Sequence, residues 1–141
     1  MVYKILWLED DIDVIGAFVR PIEQEGHIVE KIPACIDAVA RLGAEKYDAV
    51  ILDVILPQDA WTRENGTYHD GAYYGLDVLK FMREKSNNRD VPVVVFSVLP
   101  HGLVQEEITK TGLVVNSILP KITTTREQLK GQVLESIAKR G

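Results

Sequence analysis

The chain has 141 residues, 46% hydrophobic and 26% charged, with a formal net charge of -5, a make-up that fits one globular domain and excludes a disordered or fibrous chain. A single cysteine, Cys35, rules out an intrachain disulfide framework and a multi-thiolate zinc site, suits a reducing cytosol and is expected to be a small buried hydrophobe. The acidic balance argues against direct nucleic-acid binding, no apolar run reaches the length of a membrane span, and Met1-Val2-Tyr3-Lys4 does not open a signal peptide, so the expected location is the cytoplasm.

Five apolar runs alternate with amphipathic stretches, which is the pattern of a parallel sheet flanked by helices. The first run, Lys4 to Leu8, ends in Glu9-Asp10-Asp11. A helix follows from Ile12 to Glu25, because Ile15, Phe18, Val19 and Ile22 recur at the spacing of one buried face. Asp11 is its expected cap, Asp13 a first-turn acid, and Pro21 is expected to kink it near Arg20. Ile28 to Lys31 is the second run, and a helix is predicted from about Ala34 to Gly43.

The third run, Asp48 to Asp53, and the fourth, Val91 to Ser97, contain Ala49-Val50-Ile51-Leu52 and Val93-Val94-Val95-Phe96. Unbroken apolar stretches of this kind belong to strands covered on both faces, so these two should lie in the middle of the sheet. Between them, residues 58–75 form a polar, glycine- and aromatic-rich segment too long for an ordinary strand-to-helix connection. It reads as an inserted loop at the strand ends, packing its own aromatics (Trp61, Tyr68, Tyr73, Tyr74) rather than serving as a lid or partner surface. The adjacent pair His69-Asp70 is not a metal or catalytic pair, and Asn65-Gly66-Thr67 matches a glycosylation sequon without meaning in a cytoplasmic protein. Helices are predicted over Tyr74 to Lys85, Leu103 to Thr111 and Thr125 to Lys139, the last opened by a Thr125/Gln128 capping box. The fifth run is Val114 to Leu119. The whole of 1–141 thus reads as a single domain.

Ligands of open α/β sheets sit beyond the carboxyl ends of the strands. There this sequence places Glu9 and Asp10, Asp53, Ser97 and, within two residues of the fifth run, Lys121. Carboxylates converging on one point suit magnesium, which wants hard oxygen ligands. A carboxylate screened by a cation can attack a phosphoryl group, while a lysine and a hydroxyl can hold the phosphoryl oxygens. The set is therefore equipment for magnesium-assisted phosphoryl transfer.

Lys-Ile-Leu-Trp-Leu-Glu-Asp-Asp at 4–11, Ile-Leu-Asp-Val-Ile-Leu-Pro at 51–57, Val-Val-Val-Phe-Ser at 93–97 and Leu-Pro-Lys at 119–121 together resemble the receiver domains of bacterial two-component response regulators over nearly the whole chain. The resemblance implies a flavodoxin-like, doubly wound α/β fold: a five-stranded parallel sheet of order 2-1-3-4-5 with helices on both faces. It implies that Asp53 is the phosphoacceptor and a metal ligand, that Glu9 and Asp10 hold Mg2+ together with the backbone carbonyl of Ile55, and that Ser97 and Lys121 engage the phosphoryl group. Its partners would be a histidine kinase or histidine phosphotransfer protein upstream and a downstream protein target or fused output domain, with a homodimer as one possible assembly. Such a domain is a signalling phosphoacceptor, not an enzyme, and occurs as a stand-alone receiver or as a piece of a longer protein.

Some positions depart from the family pattern. Lys121 is followed by Ile122 instead of proline, so no cis bond is expected there. Ile118 stands where an aromatic switch is common, and Val98, where a small residue is common, would narrow access to Asp53. Apolar Ile55 and Leu99 replace side chains that can position hydrolytic water, which predicts a long-lived acyl phosphate. These departures also suggest a degenerate receiver that acts through protein contacts without phosphorylation. A small phosphatase with an aspartate nucleophile ranks last, because Ile55 stands where such an enzyme needs its second aspartate.

Overall fold

A computed structural model of the chain describes residues 1–140. In chain order these form β1 (Lys4–Leu8), α1 (Ile12–Gln24), β2 (Ile28–Ile32), α2 (Cys35–Ala44), β3 (Ala49–Leu52), α3 (Ala60–Asn65), α4 (Tyr74–Lys85), β4 (Val93–Ser97), α5 (His101–Thr111), β5 (Ser117–Pro120) and α6 (Arg126–Arg140), with one 3₁₀ turn at Asp70–Ala72. The strands make one sheet of order β2-β1-β3-β4-β5, and every pairing is parallel. This is the expected topology.

Alternation along the strands splits the core in two. Ile5, Trp7, Ala49, Ile51, Val94 and Phe96 point to the face covered by α1 and α6. Leu6, Leu8, Val50, Leu52, Val93 and Val95 point to the face covered by α2, α4 and α5. Every residue of β3 and β4 is buried, as the apolar runs require. Cys35 is fully buried, and burial pushes its thiol up to about 12 with help from the charge of Asp59. Beside the start of β1 lies a closed ion-pair cluster. Lys4 Nζ reaches Glu45 at 2.6 Å and Glu30 at 3.3 Å, and Arg41 pairs with the same two carboxylates.

Element ends differ from expectation where a side chain or a proline intervenes. The fifth strand begins at Ser117, not Val114: the Val114 carbonyl accepts from Arg83 Nη2 at 2.9 Å, and Asn116 Oδ1 takes the Val93 amide at 2.9 Å in place of a strand neighbour. Asp48 stays outside β3 because its carboxylate accepts from the Lys4 amide at 2.8 Å, and Pro92, which has no N–H, precedes β4. α5 starts two residues early, at His101, where the Pro100 carbonyl accepts from the amides of Leu103 and Val104. α1 runs unbroken across Pro21. Asp11 occupies its N-cap position, but its side chain makes no capping hydrogen bond; its carbonyl accepts from the Val14 amide at 3.2 Å. The Thr125/Gln128 box is formed in both directions, at 2.8 and 3.1 Å. No cis peptide bond occurs among the described residues.

The inserted segment corrects the sequence reading most. It is not a loop packed on itself but contains α3, which carries its own capping box. Asp59 Oδ1 accepts from the Thr62 amide at 2.9 Å, and Thr62 Oγ1 accepts from the Asp59 amide at 2.8 Å. Asp59 Oδ2 meanwhile accepts from the Ile36 amide in the first turn of α2 at 2.8 Å. Trp61 packs edge-on against Phe81 of α4, outside the segment, and buried Asp77 of α4 accepts from the Thr67 amide and hydroxyl at 2.9 and 2.8 Å. The segment is therefore tied to α2 and α4. Within it, His69 Nδ1 lies 3.0 Å from the Tyr74 hydroxyl, so that ring is engaged by Tyr74, not Asp70.

Candidate functional site

Parallel register brings the strand ends level. Leu8 pairs with Leu52, Leu52 with Val95, and Ser97 with Pro120, so the residues just beyond them emerge on one edge of the sheet. Asp53 donates its amide to the Leu8 carbonyl at 3.1 Å, Glu9 to Ile32 at 3.0 Å, and Lys121 to Ser97 at 2.8 Å. These backbone bonds fix where each side chain starts.

The result is an open cleft of about 470 Å³ lined by Glu9, Asp10, Asp53, Ile55 and Lys121, with Val98 and Ala72 on its rim. Glu9, Asp10 and Asp53 each offer a carboxylate oxygen, and these lie within 4.8 Å of one another. Lys121 Nζ lies 2.8 Å from Asp53 Oδ2 and also pairs with Glu9 Oε1. The remaining oxygens are partly used: Asp53 Oδ1 accepts from the Val54 amide at 2.7 Å, and Glu9 Oε2 from the Asp11 amide at 3.2 Å. Glu9 and Asp53 are buried while Asp10 is exposed. Three acids thus face one ammonium.

Electrostatics reflects that imbalance. Burial pushes the Glu9 carboxyl up to about 7; the hydrogen bond from Lys121 opposes this, and the charge of Asp53 adds to it. Burial works against the Lys121 ammonium, but its hydrogen bonds to Asp53 and Glu9 outweigh that and raise its pKa. A second cation here would relieve the repulsion between carboxylates. The all-oxygen donor set, two buried acids and one exposed, fits a hard divalent ion such as magnesium.

Five of the six residues expected from the sequence meet in the cleft: Glu9, Asp10, Asp53, Ile55 and Lys121. Ser97 is buried beside it, with Oγ accepting from the Leu99 amide at 3.2 Å, which leaves its hydroxyl proton free to donate. Val98, 55% exposed, also lines the cleft. The sequence reading missed Ala72, which comes from the inserted segment and carries φ +56. An alanine has no sequence signature for that conformation. Gly75 was also missed: a Cβ there would lie 1.9 Å from the Asp53 carbonyl oxygen, so the start of α4 approaches the Asp53 loop as closely as backbone allows.

No family model matches the chain. Over 54 residues it is 39% identical to the transcriptional regulatory protein TcrA of Mycobacterium tuberculosis, a match covering 38% of this chain and 21% of that protein, so the chain spans about a fifth of this curated relative. Among solved structures, it superposes on a CheY-like response regulator receiver domain protein from Methanospirillum hungatei with a TM-score of 0.76 at 15% identity, covering 99% of this chain and 97% of that one. The receiver domain of a Francisella response regulator gives 0.74 at 21% identity, with 99% of both chains covered. A sensor protein from Polaromonas gives 0.76 at 22% identity, over 99% of this chain and 98% of that one.

Proposed function

We propose that this chain, which has the fold of the response-regulator receiver domains, works as one: it accepts a phosphoryl group on Asp53 and changes its protein contacts in response. The observation that carries the reading is the convergence of the Glu9, Asp10 and Asp53 carboxylates within 4.8 Å, with Lys121 bridging Glu9 and Asp53. Such a cluster is costly to leave uncompensated and is of use where a cation and an anionic reactant must meet.

Glu9, Asp10, Asp53 and the carbonyl of Ile55 would hold magnesium, which when bound screens charge between the carboxylate and the incoming phosphoryl group. An Asp53 carboxylate oxygen attacks phosphorus in line. The new O–P bond forms as the P–N bond of a donor phosphohistidine breaks, and the electron pair leaves on the imidazole nitrogen, which then takes a proton. Lys121, already hydrogen-bonded to Asp53, turns to a phosphoryl oxygen and neutralises part of its charge, and the Ser97 hydroxyl donates to another. Apolar Ile55 and Leu99 offer no hydrogen bond to an attacking water, so the acyl phosphate persists. The donor is a histidine kinase or phosphotransfer protein in the cytoplasm, and the output is a new set of protein contacts. No helix among the described residues is long and apolar enough to cross a membrane.

The test is intact mass after incubation with a small phosphodonor, with and without magnesium, beside Asp53→Asn. One magnesium-dependent phosphoryl adduct, absent from the variant and lasting through repeated sampling, is the expected result. Absence of any adduct in the native chain would overturn the reading in favour of a phosphorylation-independent interaction domain.

A further inference from the structure

The loop that follows Asp53 is clamped from outside by the inserted segment. The Val54 carbonyl accepts from the Gly75 amide at 2.9 Å, and the Leu56 amide donates to the Ala72 carbonyl at 3.1 Å. The second bond matters for the cleft because Leu56 N–H and Ile55 C=O belong to the same peptide unit. That unit is planar and trans, so its N–H and C=O leave opposite edges. Fixing the N–H on Ala72 fixes the direction of the Ile55 carbonyl as well.

Ala72 presents its carbonyl this way from φ +56, beside Gly71 at φ +78. A residue with a Cβ occupies the left-handed region at a cost, and such a cost is maintained where surrounding contacts enforce it. Here the enforcing contacts are visible on both sides. Asp77 holds Thr67, the Tyr73 amide donates to the Tyr68 carbonyl at 3.2 Å, and Gly75 is locked onto the Asp53 loop.

We propose that Ala72 is a positioning residue: through its carbonyl the inserted segment holds the Ile55–Leu56 peptide, and so sets how tightly the cleft binds a divalent cation. This rests on the phosphoacceptor reading above, and adds that the segment 58–75 tunes the cleft instead of merely bordering it. The role belongs to the Ala72 backbone, not its methyl group, and that distinction makes it testable. Ala72→Gly keeps the left-handed conformation and removes the methyl. Ala72→Val places a β-branched side chain where φ above zero is strongly disfavoured, and turns the carbonyl away.

The experiment is isothermal titration of the cation-free chain and both variants with magnesium, alongside hydrogen exchange of the Leu56 amide by NMR. The expected result is about a tenfold weaker Kd and lost Leu56 protection in Ala72→Val, with Ala72→Gly within twofold of the native chain and still protected. Equal weakening in both variants would overturn the proposal, since the methyl would then be responsible, and so would an unchanged Kd in Ala72→Val with Leu56 deprotected. If Ala72→Val keeps Leu56 protected, the left-handed turn is not what directs the carbonyl, and the proposal also fails. A native chain that takes up no magnesium would instead overturn the phosphoacceptor reading, and this role with it.

Discussion

The two ends of β1 carry charge in opposite ways. At its start, Lys4 and Arg41 meet Glu30 and Glu45, two bases against two acids, and every charge has a partner. At its end, Glu9, Asp10 and Asp53 crowd together, and the one ammonium there, that of Lys121, pairs with Glu9 and Asp53 alone. In the first arrangement each ion-paired acid has a basic partner within the cluster. The second is short of positive charge, as the cation site proposed above would be before its ion is bound.

The strongest way to break this comparison is to remove the frame that holds the acidic end in place. Gly75→Ala would put a Cβ 1.9 Å from the Asp53 carbonyl oxygen and 2.9 Å from Val54 Cα, forcing backbone apart where no flexible side chain can yield. Thermal unfolding should show a loss of about 3 kcal/mol, with Asp53 displaced.

The protonation behaviour of the two ends sharpens the contrast, with opposite signs. Folding raises the Glu9 pKa from its ordinary 4.5 to about 7, so the folded chain keeps a proton that the unfolded chain releases. Its contribution to stability is complete below pH 4.5 and is lost as pH rises through 7. In cation-free buffer Glu9→Gln should therefore melt higher than the native chain at pH 7.5 and close to it at pH 4, two conditions about one half-unit outside that window. A variant that melts lower at both would contradict the account of the cleft.

Glu45 runs the other way. The hydrogen bond from Lys4 lowers its pKa below the ordinary carboxylate range, so its contribution is present above that range and is lost as pH falls through the folded-state value. Glu45→Gln should melt slightly lower than the native chain at neutral pH, and high salt should shrink the difference because the pair is only half-buried. This is the smallest expected effect, and its sign, opposite to that at Glu9, is what matters.

Much of this was legible in the sequence because it rests on local rules. Apolar runs such as Val93–Phe96 announce buried strands, parallel pairing sends their carboxyl ends to one edge, and the polar residues immediately beyond them must meet there. Glu9, Asp10, Asp53 and Lys121 followed from that reasoning, as did the capping box at Thr125. α3 was hidden because it spans only Ala60–Asn65, too short to show a helical period, and because its capping pair is Asp59 with Thr62 instead of a threonine with a glutamine. Ala72 was hidden for a different reason. Its backbone angle is set among bonds to the loop after β3 and within the inserted segment, and nothing in an alanine records that. The asparagine that makes the fifth strand start late, Asn116, likewise acts through a long-range bond to Val93.

The carboxylate of Asp59 has a consequence for how portable the inserted segment is. One oxygen caps α3, while the other serves the first turn of α2, twenty-three positions earlier in the chain. Cut out and grafted into the same connection of another sheet, residues 58–75 would arrive with half of that joint missing. The segment is thus not a cassette, and a transplant would have to carry the opening of α2 with it.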